Sequence, residues 1–330
     1  MSFSLNAIKF AILVAGCVCY VLINQKAVTG LEASPHDQNL LLEAVSDLGN
    51  KVMELEDSLK SNQATSSNAF LDDLPDWVRD DHAGTLAESF KKLSENLTDK
   101  STAHTYQIMY HKHLSPVVLR SILAPPSSPE IKFRMLEIGL GCSTNPGGGM
   151  LGKPGGSTFA WRRLFSSSKI DLELHVMEYD AKCAQEWAEQ NPEIANKVHS
   201  GDASSIEDLD RVYRDSGGLP FDMIIDDASH INEHQIDTFQ HMIQYVAKGG
   251  IYVIEDIHSS CMGWPANTGT VQEDKWVRGT KGCMQTKDGK PTFFSKLIEW
   301  QKPLLTKQSP FPDVSSIEIA FEAAVITKKY

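Results

Sequence analysis

The stretch "KFRMLEIGLGC", residues 132–142, decides the fold, because a short apolar strand runs directly into two closely spaced glycines. Similar apolar runs that end in acids follow at 172–180, 196–204, 221–230 and 251–258. Segments with helical periodicity lie between them, at 182–192 and 234–250. Strands that alternate with helices predict an α/β fold with a doubly wound, mostly parallel sheet and helices on both faces.

The two ends of this region break the alternation. Residues 315–329, "SSIEIAFEAAVITKK", are strand-rich with no helical segment between their halves, so we expect an antiparallel hairpin at the sheet edge. Residues 71–129 have helical patterns and close with the breaker "APPSSP" at 124–129. The sequence therefore predicts a sheet-bearing domain over 130–330 that follows a helical N-terminal region.

The first 25 residues differ in composition from the rest. Residues 10–23, "FAILVAGCVCYVLI", form an uninterrupted apolar run, slightly shorter than the ~20 residues that cross a bilayer. The segment 1–25 can be an uncleaved signal anchor, a cleaved signal peptide or a buried core helix. We expect a single-pass, N-terminally membrane-anchored protein of the endomembrane system or secretory pathway, with secretion as the alternative.

A heptad pattern follows within the segment 26–70. Apolar residues recur at alternating spacings of four and three, at Leu41, Val45, Leu48, Val52, Leu55 and Leu59. This is the pattern of a coiled coil, and a single amphipathic helix packed on the domain also fits it. We expect a short coiled stem with a polar linker, and hence a homo-oligomer.

Charge and cysteine content exclude other classes of protein. The 330 residues carry a formal net charge of −12, whereas a general nucleic-acid binder needs a basic face, so we expect no nucleic-acid partner. The six cysteines show no zinc-binding spacing. Cys261 and Cys283 are expected to be ordinary thiols, and a bond between them in a luminal domain is the alternative.

A glycine-rich loop follows the first strand, in "LEIGLGCSTNPGGG" at 136–149. Ligands of open parallel sheets bind outside the carboxyl ends of the strands, where this loop lies. A dinucleotide-binding loop would have a third glycine or alanine three residues after Gly141, where Thr144 stands. The pattern Glu137-x-Gly139-x-Gly141 instead resembles motif I of the class I S-adenosylmethionine-dependent methyltransferases.

This resemblance implies a set of cofactor-binding residues and a seven-stranded sheet whose last strand is antiparallel. Glu137, Gly139 and Gly141 would belong to the S-adenosylmethionine loop. Glu178, with Asp180 as the alternative, would bind the ribose hydroxyls, since a carboxylate accepts hydrogen bonds from a diol. Asp202 would lie by the adenine, and Asp226 is assigned to the same cofactor site.

Pairs of acids end the fourth and fifth strands. Asp226 and Asp227 end one, and Glu255 and Asp256 end the other. Neighbouring strands bring these carboxylates to one rim, where their repulsion favours a divalent cation with oxygen ligands, Mg²⁺ above all. The cation would lower the pKa of a substrate hydroxyl, and His230 would accept the proton as general base.

These two strand ends resemble those of the metal-dependent macrolide sugar O-methyltransferases of the mycinamicin and macrocin type. The matching segments are Asp227-Ala-Ser-His230 and Glu255-Asp256, and the segment "TDKSTAHTYQIMYHKHL" at 98–114 is similar as well. The resemblance implies that Asp227, Glu255 and Asp256 are the metal ligands and that the segment 98–114 helps cover the cofactor.

The implied activity is O-methylation, by S-adenosylmethionine with Mg²⁺, of a hydroxyl on a glycosylated or polyol-like small molecule. Two other functions stay open on the sequence. An NAD-dependent oxidoreductase has a related fold, although motif I disfavours it. A non-catalytic, membrane-tethered scaffold is the third possibility, although it would not need His230 together with the acids.

Overall fold

A computed structural model of the chain describes residues 86–95, 97–123, 127–142, 154–166, 169–261, 283–286 and 289–330. The expected N-terminal membrane segment, the coiled stem and the linker lie outside these residues and stay predictions. Among the helices that the structure describes, none combines the length and the apolar character needed to span a bilayer.

The described part of the chain contains seven α-helices and seven strands, besides three short 3-10 helices. The helices are α1 (Leu86–Ser94), α2 (Tyr106–Leu123), α3 (Gly156–Phe165), α4 (Ala181–Gln190), α5 (Ile206–Asp215), α6 (Asn232–Met242) and α7 (Phe293–Leu304). The strands are β1 (Ile131–Ile138), β2 (Ile170–Glu178), β3 (Lys197–Ser200), β4 (Phe221–Asp226), β5 (Val246–Ile254), β6 (Val314–Ile319) and β7 (Ala324–Lys328).

The strands form one sheet in the order β3-β2-β1-β4-β5-β7-β6. Strands β1 to β5 run parallel, whereas β7 pairs antiparallel with both β5 and β6. The predicted α/β sheet with an antiparallel last strand is therefore confirmed, including the hairpin near the C-terminus.

Helices cover both faces of the sheet, which explains the nearly continuous apolar strands. Successive side chains of a strand point to opposite faces. In β1, Met135 joins one buried apolar cluster and Leu136 joins the other, and Met223 and Ile224 of β4 divide in the same way. Each large apolar side chain buried in this manner contributes roughly 1.5–3 kcal/mol to stability.

The central strands end at the same level. Ile138 of β1 pairs with Asp226 of β4, which in turn pairs with Ile254 of β5. The next residue of each strand therefore lies at a common edge, and these residues are Gly139, Asp227 and Glu255. This register is what gathers the predicted site residues.

The predicted helix over 234–250 is shorter than expected. The helix α6 ends at Met242, and Val246 already pairs with Phe221 at the start of β5. The pairing then skips from Val246 to Ile251 opposite Phe221 and Met223, so the glycines lie in a bulge of β5 instead of ending a helix. Gly249 has φ +72°, a conformation that glycine adopts without strain.

The helical region that precedes the sheet packs through aromatic rings. Phe90 of α1 stacks on Trp161 of α3 with ring centroids 4.7 Å apart, and Tyr110 of α2 meets the same tryptophan edge-on at 4.7 Å. This contact fixes α2, so that its first turns lie over the carboxyl ends of β4 and β5.

Candidate functional site

One cavity of about 810 Å³ opens at the carboxyl ends of the parallel strands. The loops after β1, β2, β3, β4 and β5 all contribute to its lining, and His104 and Tyr106 are added by the segment that leads into α2 and by its first residue. The sequence analysis predicted a ligand site at this edge of the sheet, and the edge is concave, as ligand sites usually are.

The glycine loop and Glu178 form one half of this cavity. Glu178 is almost fully buried, and its carboxylate accepts hydrogen bonds from the backbone N–H of Leu140 (3.0 Å), Cys142 (3.4 Å) and Asp180 (2.9 Å). The side chain of Asp180, the alternative ribose ligand, instead caps α4 by accepting from two backbone N–H groups. Glu178 thus shapes the loop that follows β1.

Asp202 lines the same half of the cavity. Its Oδ1 accepts from the backbone N–H and the hydroxyl of Ser204, at 2.8 and 2.7 Å, so the loop after β3 is also ordered by its own acid. The structure therefore brings Gly139, Gly141, Glu178 and Asp202 to one cavity.

Gly139 joins this half of the cavity to the acid half. Its φ is +110°, and a Cβ atom there would lie 2.0 Å from the backbone oxygen of Asp227. No side chain can occupy that space without moving the end of β4. The glycine therefore allows the loop and the acids to lie in direct contact.

Two predicted cofactor residues lie away from the cavity lining. Glu137 and Asp226 are both buried, with exposures of 0% and 2%. Burial raises the pKa of Asp226 to about 7, and Tyr252 donates a hydrogen bond of 3.2 Å to its carboxyl group. Burial also raises the pKa of Glu137. In this structure both acids pack beneath the cavity instead of facing it.

Asp227, His230 and Asp256 form the other half of the site. The Nε2 atom of His230 lies 3.3 Å from Asp256 Oδ2 and 4.0 Å from Asp227 Oδ1. One ligand atom from each of the three lies within 4.8 Å of the others, and all three residues are half-buried. Two carboxylates and an imidazole this close together are able to converge on one divalent cation.

Glu255, the remaining predicted metal ligand, is buried and contacts other side chains of the protein. It is 1% exposed, and its two oxygens contact the ammonium of Lys100 and the hydroxyl of Tyr110. The same ammonium lies 2.6 Å from Asp227 Oδ2. The structure thus gathers all three predicted metal ligands at one edge, and it places a lysine between two of them.

The segment 98–114 contacts the acids through further side chains. The hydroxyl of Tyr106 donates to Asp256 Oδ1 at 2.6 Å and accepts from the Asp256 backbone N–H at 3.0 Å. His104 stacks on Tyr106 and binds Glu322, in the turn between β6 and β7, at 2.6 Å. The segment 98–114 thus supplies partners for the acids, and its role as a cover over the cofactor stays a prediction.

The chain resembles known proteins both in sequence and in structure, although no protein-family model matches it. An 8-demethyl-8-alpha-L-rhamnosyl tetracenomycin-C 2'-O-methyltransferase of Streptomyces olivaceus is 30% identical over 178 residues, which cover 54% of this chain and 39% of the relative. A mycinamicin VI 2''-O-methyltransferase of Micromonospora griseorubida is 35% identical over 155 residues, covering 47% and 34%. The chain therefore spans less than half the length of the curated relatives it matches.

The solved structures decide the fold. The MycE methyltransferase of the mycinamycin biosynthetic pathway, solved in complex with Mg, SAH and mycinamycin VI, superposes with a TM-score of 0.53 at 22% identity. The match covers 74% of this chain and 54% of that one. The domain has the class I methyltransferase fold. Its sequence resembles those of the macrolide sugar O-methyltransferases, as its motifs implied.

Two disulfides close loops of the domain that contains the sheet. Cys142 of the glycine loop is bonded to Cys183 in the first turn of α4, and Cys261 is bonded to Cys283. The expectation of ordinary thiols at 261 and 283 is thus wrong in this structure. The first pair was not predicted, because cysteines 41 residues apart in sequence carry no pairing signal until the fold brings their elements together.

Lys100 is the residue of the candidate site that the sequence did not reveal. Burial alone would lower the pKa of Lys100, but the carboxylates of Asp227, Glu255 and Glu137 outweigh it and raise the pKa well above its usual range. Its position in the segment 98–114 was a signal, although nothing in the spacing indicated which acids it would meet. A lysine that is 1% exposed is informative only once its neighbours are known.

Proposed function

We propose that this chain is an S-adenosylmethionine- and Mg²⁺-dependent O-methyltransferase. One observation carries the proposal: a single cavity joins the glycine loop and Glu178 to the group Asp227, His230 and Asp256. A methyl donor in the first half would lie beside a proton acceptor in the second. The glycine loop disfavours an NAD-dependent oxidoreductase, because Thr144 stands where a dinucleotide-binding loop has glycine or alanine.

The residues of the chain would divide the reaction between them. When bound, S-adenosylmethionine supplies an electrophilic methyl group and the divalent cation supplies a Lewis acid that acidifies the acceptor hydroxyl. Asp227 and Asp256 would hold the cation. His230 would accept the hydroxyl proton at Nε2 while the new oxygen–carbon bond forms and the sulfur–carbon bond breaks, leaving S-adenosylhomocysteine.

The proposed acceptor is a hydroxyl on a glycosylated or polyol-like small molecule. The relatives that support this class are named as methylating sugar hydroxyls of tetracenomycin and mycinamicin compounds. Three histidines and a tyrosine surround the carboxylate of Asp256, and such donors and acceptors suit a substrate rich in hydroxyl groups.

Calorimetry against S-adenosylhomocysteine, with and without Mg²⁺, tests the cofactor assignment. We expect a dissociation constant in the micromolar range, which corresponds to ~8 kcal/mol. Glu178→Gln should weaken binding, because the glycine loop loses the carboxylate that orders it. Glu186→Gln, an exposed change on α4, is the matched control. Binding of NAD in place of S-adenosylhomocysteine would show that the proposal is wrong.

We propose that the N-terminal segment anchors the chain in the secretory pathway, with the domain on the luminal side. The two disulfides support this location, because disulfides persist in oxidising compartments. Mass spectrometry of alkylated, unreduced protein from its native cell, together with membrane fractionation, tests the proposal. Free thiols at Cys142 and Cys183, or recovery in a cytosolic fraction, would contradict it.

A further inference from the structure

A buried ammonium lies at the centre of the acid cluster. The Nζ atom of Lys100 is 2.6 Å from Asp227 Oδ2, in direct contact with Glu255 Oε2, and 3.6 Å from Glu137 Oε1. The side chain is almost fully excluded from solvent, so water screens these interactions little. Lys100 is therefore part of the electrostatics of the candidate metal site.

The charges around Lys100 do not balance. Three carboxyl groups face one ammonium, which leaves two formal negative charges without a partner among these four side chains. A divalent ion at this edge would supply the positive charge that one ammonium does not provide.

Asp227 is shared between the lysine and the outer group. Its Oδ2 contacts Lys100, whereas its Oδ1 faces His230 at 4.0 Å. A cation held by Asp227 and Asp256 would therefore lie across one carboxylate from the ammonium. Two positive charges that share a buried carboxylate repel each other and divide its attraction.

We propose that Lys100 is a resident cation that competes with the divalent ion for Asp227 and so sets the affinity of the metal site. In the absence of metal the ammonium keeps the carboxylates together. When metal is present, the ammonium lowers its affinity and keeps its binding reversible. This inference rests on the metal-dependent part of the proposed function. If Lys100 only positioned the carboxylates, loss of its charge would weaken metal binding, whereas loss of a competing cation should strengthen it.

Mn²⁺ binding followed by electron paramagnetic resonance tests the inference on the full chain without cofactor or acceptor. Lys100→Met keeps the length of the side chain and removes its charge, so Mn²⁺ should bind at least about tenfold more tightly. Lys112→Met is the matched control, because Lys112 forms an exposed ion pair with Glu318 and should leave the Mn²⁺ affinity unchanged. Unchanged or weaker binding by a folded Lys100→Met protein would overturn the inference.

A second pair of variants keeps the test decisive if Lys100→Met alone does not fold. Glu255→Gln removes the acid that Lys100→Met would leave unpaired, so Glu255→Gln is compared with Glu255→Gln plus Lys100→Met. The lysine change should again tighten Mn²⁺ binding, because it removes the competitor for Asp227. Equal or weaker binding by the double variant would contradict the inference. If wild type binds no Mn²⁺ but Lys100→Met does, the inference stands and the metal-dependent function fails. If neither binds, both fail.

Discussion

His230 is held by its backbone as well as by its side-chain contacts. Its φ is +55°, and Asp256, which faces it, has φ +53°. Residues other than glycine enter this left-handed region at a cost of roughly 1–3 kcal/mol, so the surrounding structure must stabilise it. The loops after β4 and β5 thus turn sharply inward, and they aim Nε2 of His230 at Asp256 Oδ2.

The strongest prediction at this scale concerns the proton acceptor. His230→Ala should reduce methyl transfer by about 10²–10⁴-fold, or roughly 3–5 kcal/mol of barrier, because the acceptor hydroxyl loses its base. Affinity for S-adenosylhomocysteine should be unchanged, since Glu178 and the glycine loop lie in the other half of the cavity. The loss should shrink as the pH rises, because the hydroxyl then ionises unaided.

Steady-state turnover across the neutral to alkaline range checks this prediction. His111→Ala is the control, because His111 contacts Ser115 within α2 and lies away from the cavity lining. If the His230→Ala protein turned over within about threefold of wild type, the histidine would have no role as general base.

Among the elements, the glycine loop and α4 are linked to each other at the proposed cofactor site. Glu178 ends β2 and accepts from the backbone of the loop, Asp180 caps α4, and the bond from Cys142 to Cys183 ties the loop to that helix. Loops that are ordered before a ligand arrives lose less conformational freedom on binding. The disulfide therefore pre-organises the proposed cofactor site.

Removal of this disulfide should weaken cofactor binding. Cys142→Ser with Cys183→Ser should bind S-adenosylhomocysteine roughly 3- to 10-fold more weakly, the effect of about 1 kcal/mol of extra loop ordering. Isothermal calorimetry measures the difference. The matched control is Cys261→Ser with Cys283→Ser, which removes the other disulfide and should leave this affinity unchanged. Equal affinities in both double variants would contradict the prediction.

For the whole molecule, a buried histidine pair links stability to pH. His175 Nε2 lies 2.9 Å from Glu173, and His175 Nδ1 lies 3.3 Å from His199 Nε2, which also lies 3.2 Å from the Ser216 hydroxyl. Burial lowers the pKa of both rings, that of His199 to about 4. Both rings are therefore neutral in the folded domain and regain a pKa near 6.5 on unfolding.

The contribution of this histidine pair to stability should therefore fall as the pH falls from neutral. The folded pKa lies below the unfolded one, so stability is fully present above pH ~6.5 and is lost as the pH falls towards 4. His199 alone should cost about 2 kcal/mol between neutral pH and pH ~5. Urea unfolding of wild type and His199→Gln measures it, with His241→Gln as control. A variant with the same pH dependence as wild type would contradict this prediction.

The sequence by itself determined the sheet, its antiparallel end and the cluster of residues at the strand ends. Apolar runs such as 221–226 and the glycines after residue 138 are local features of the sequence, so they can be recognised without knowledge of the fold. Parallel strands then bring the residue after each strand to one edge, and this rule alone placed Gly139, Asp227 and Glu255 together.

Only the tertiary structure decided which partners these residues have. Lys100 lies 127 residues before Asp227, and Cys142 lies 41 before Cys183, so no local pattern could pair them. The same holds for the burial of Glu137 and Asp226, because a carboxylate at a strand end faces a cavity or a core depending on what packs above it. Contacts between distant segments depend on the packing of α2, α3 and the sheet, and that packing sets the charge around the proposed metal site.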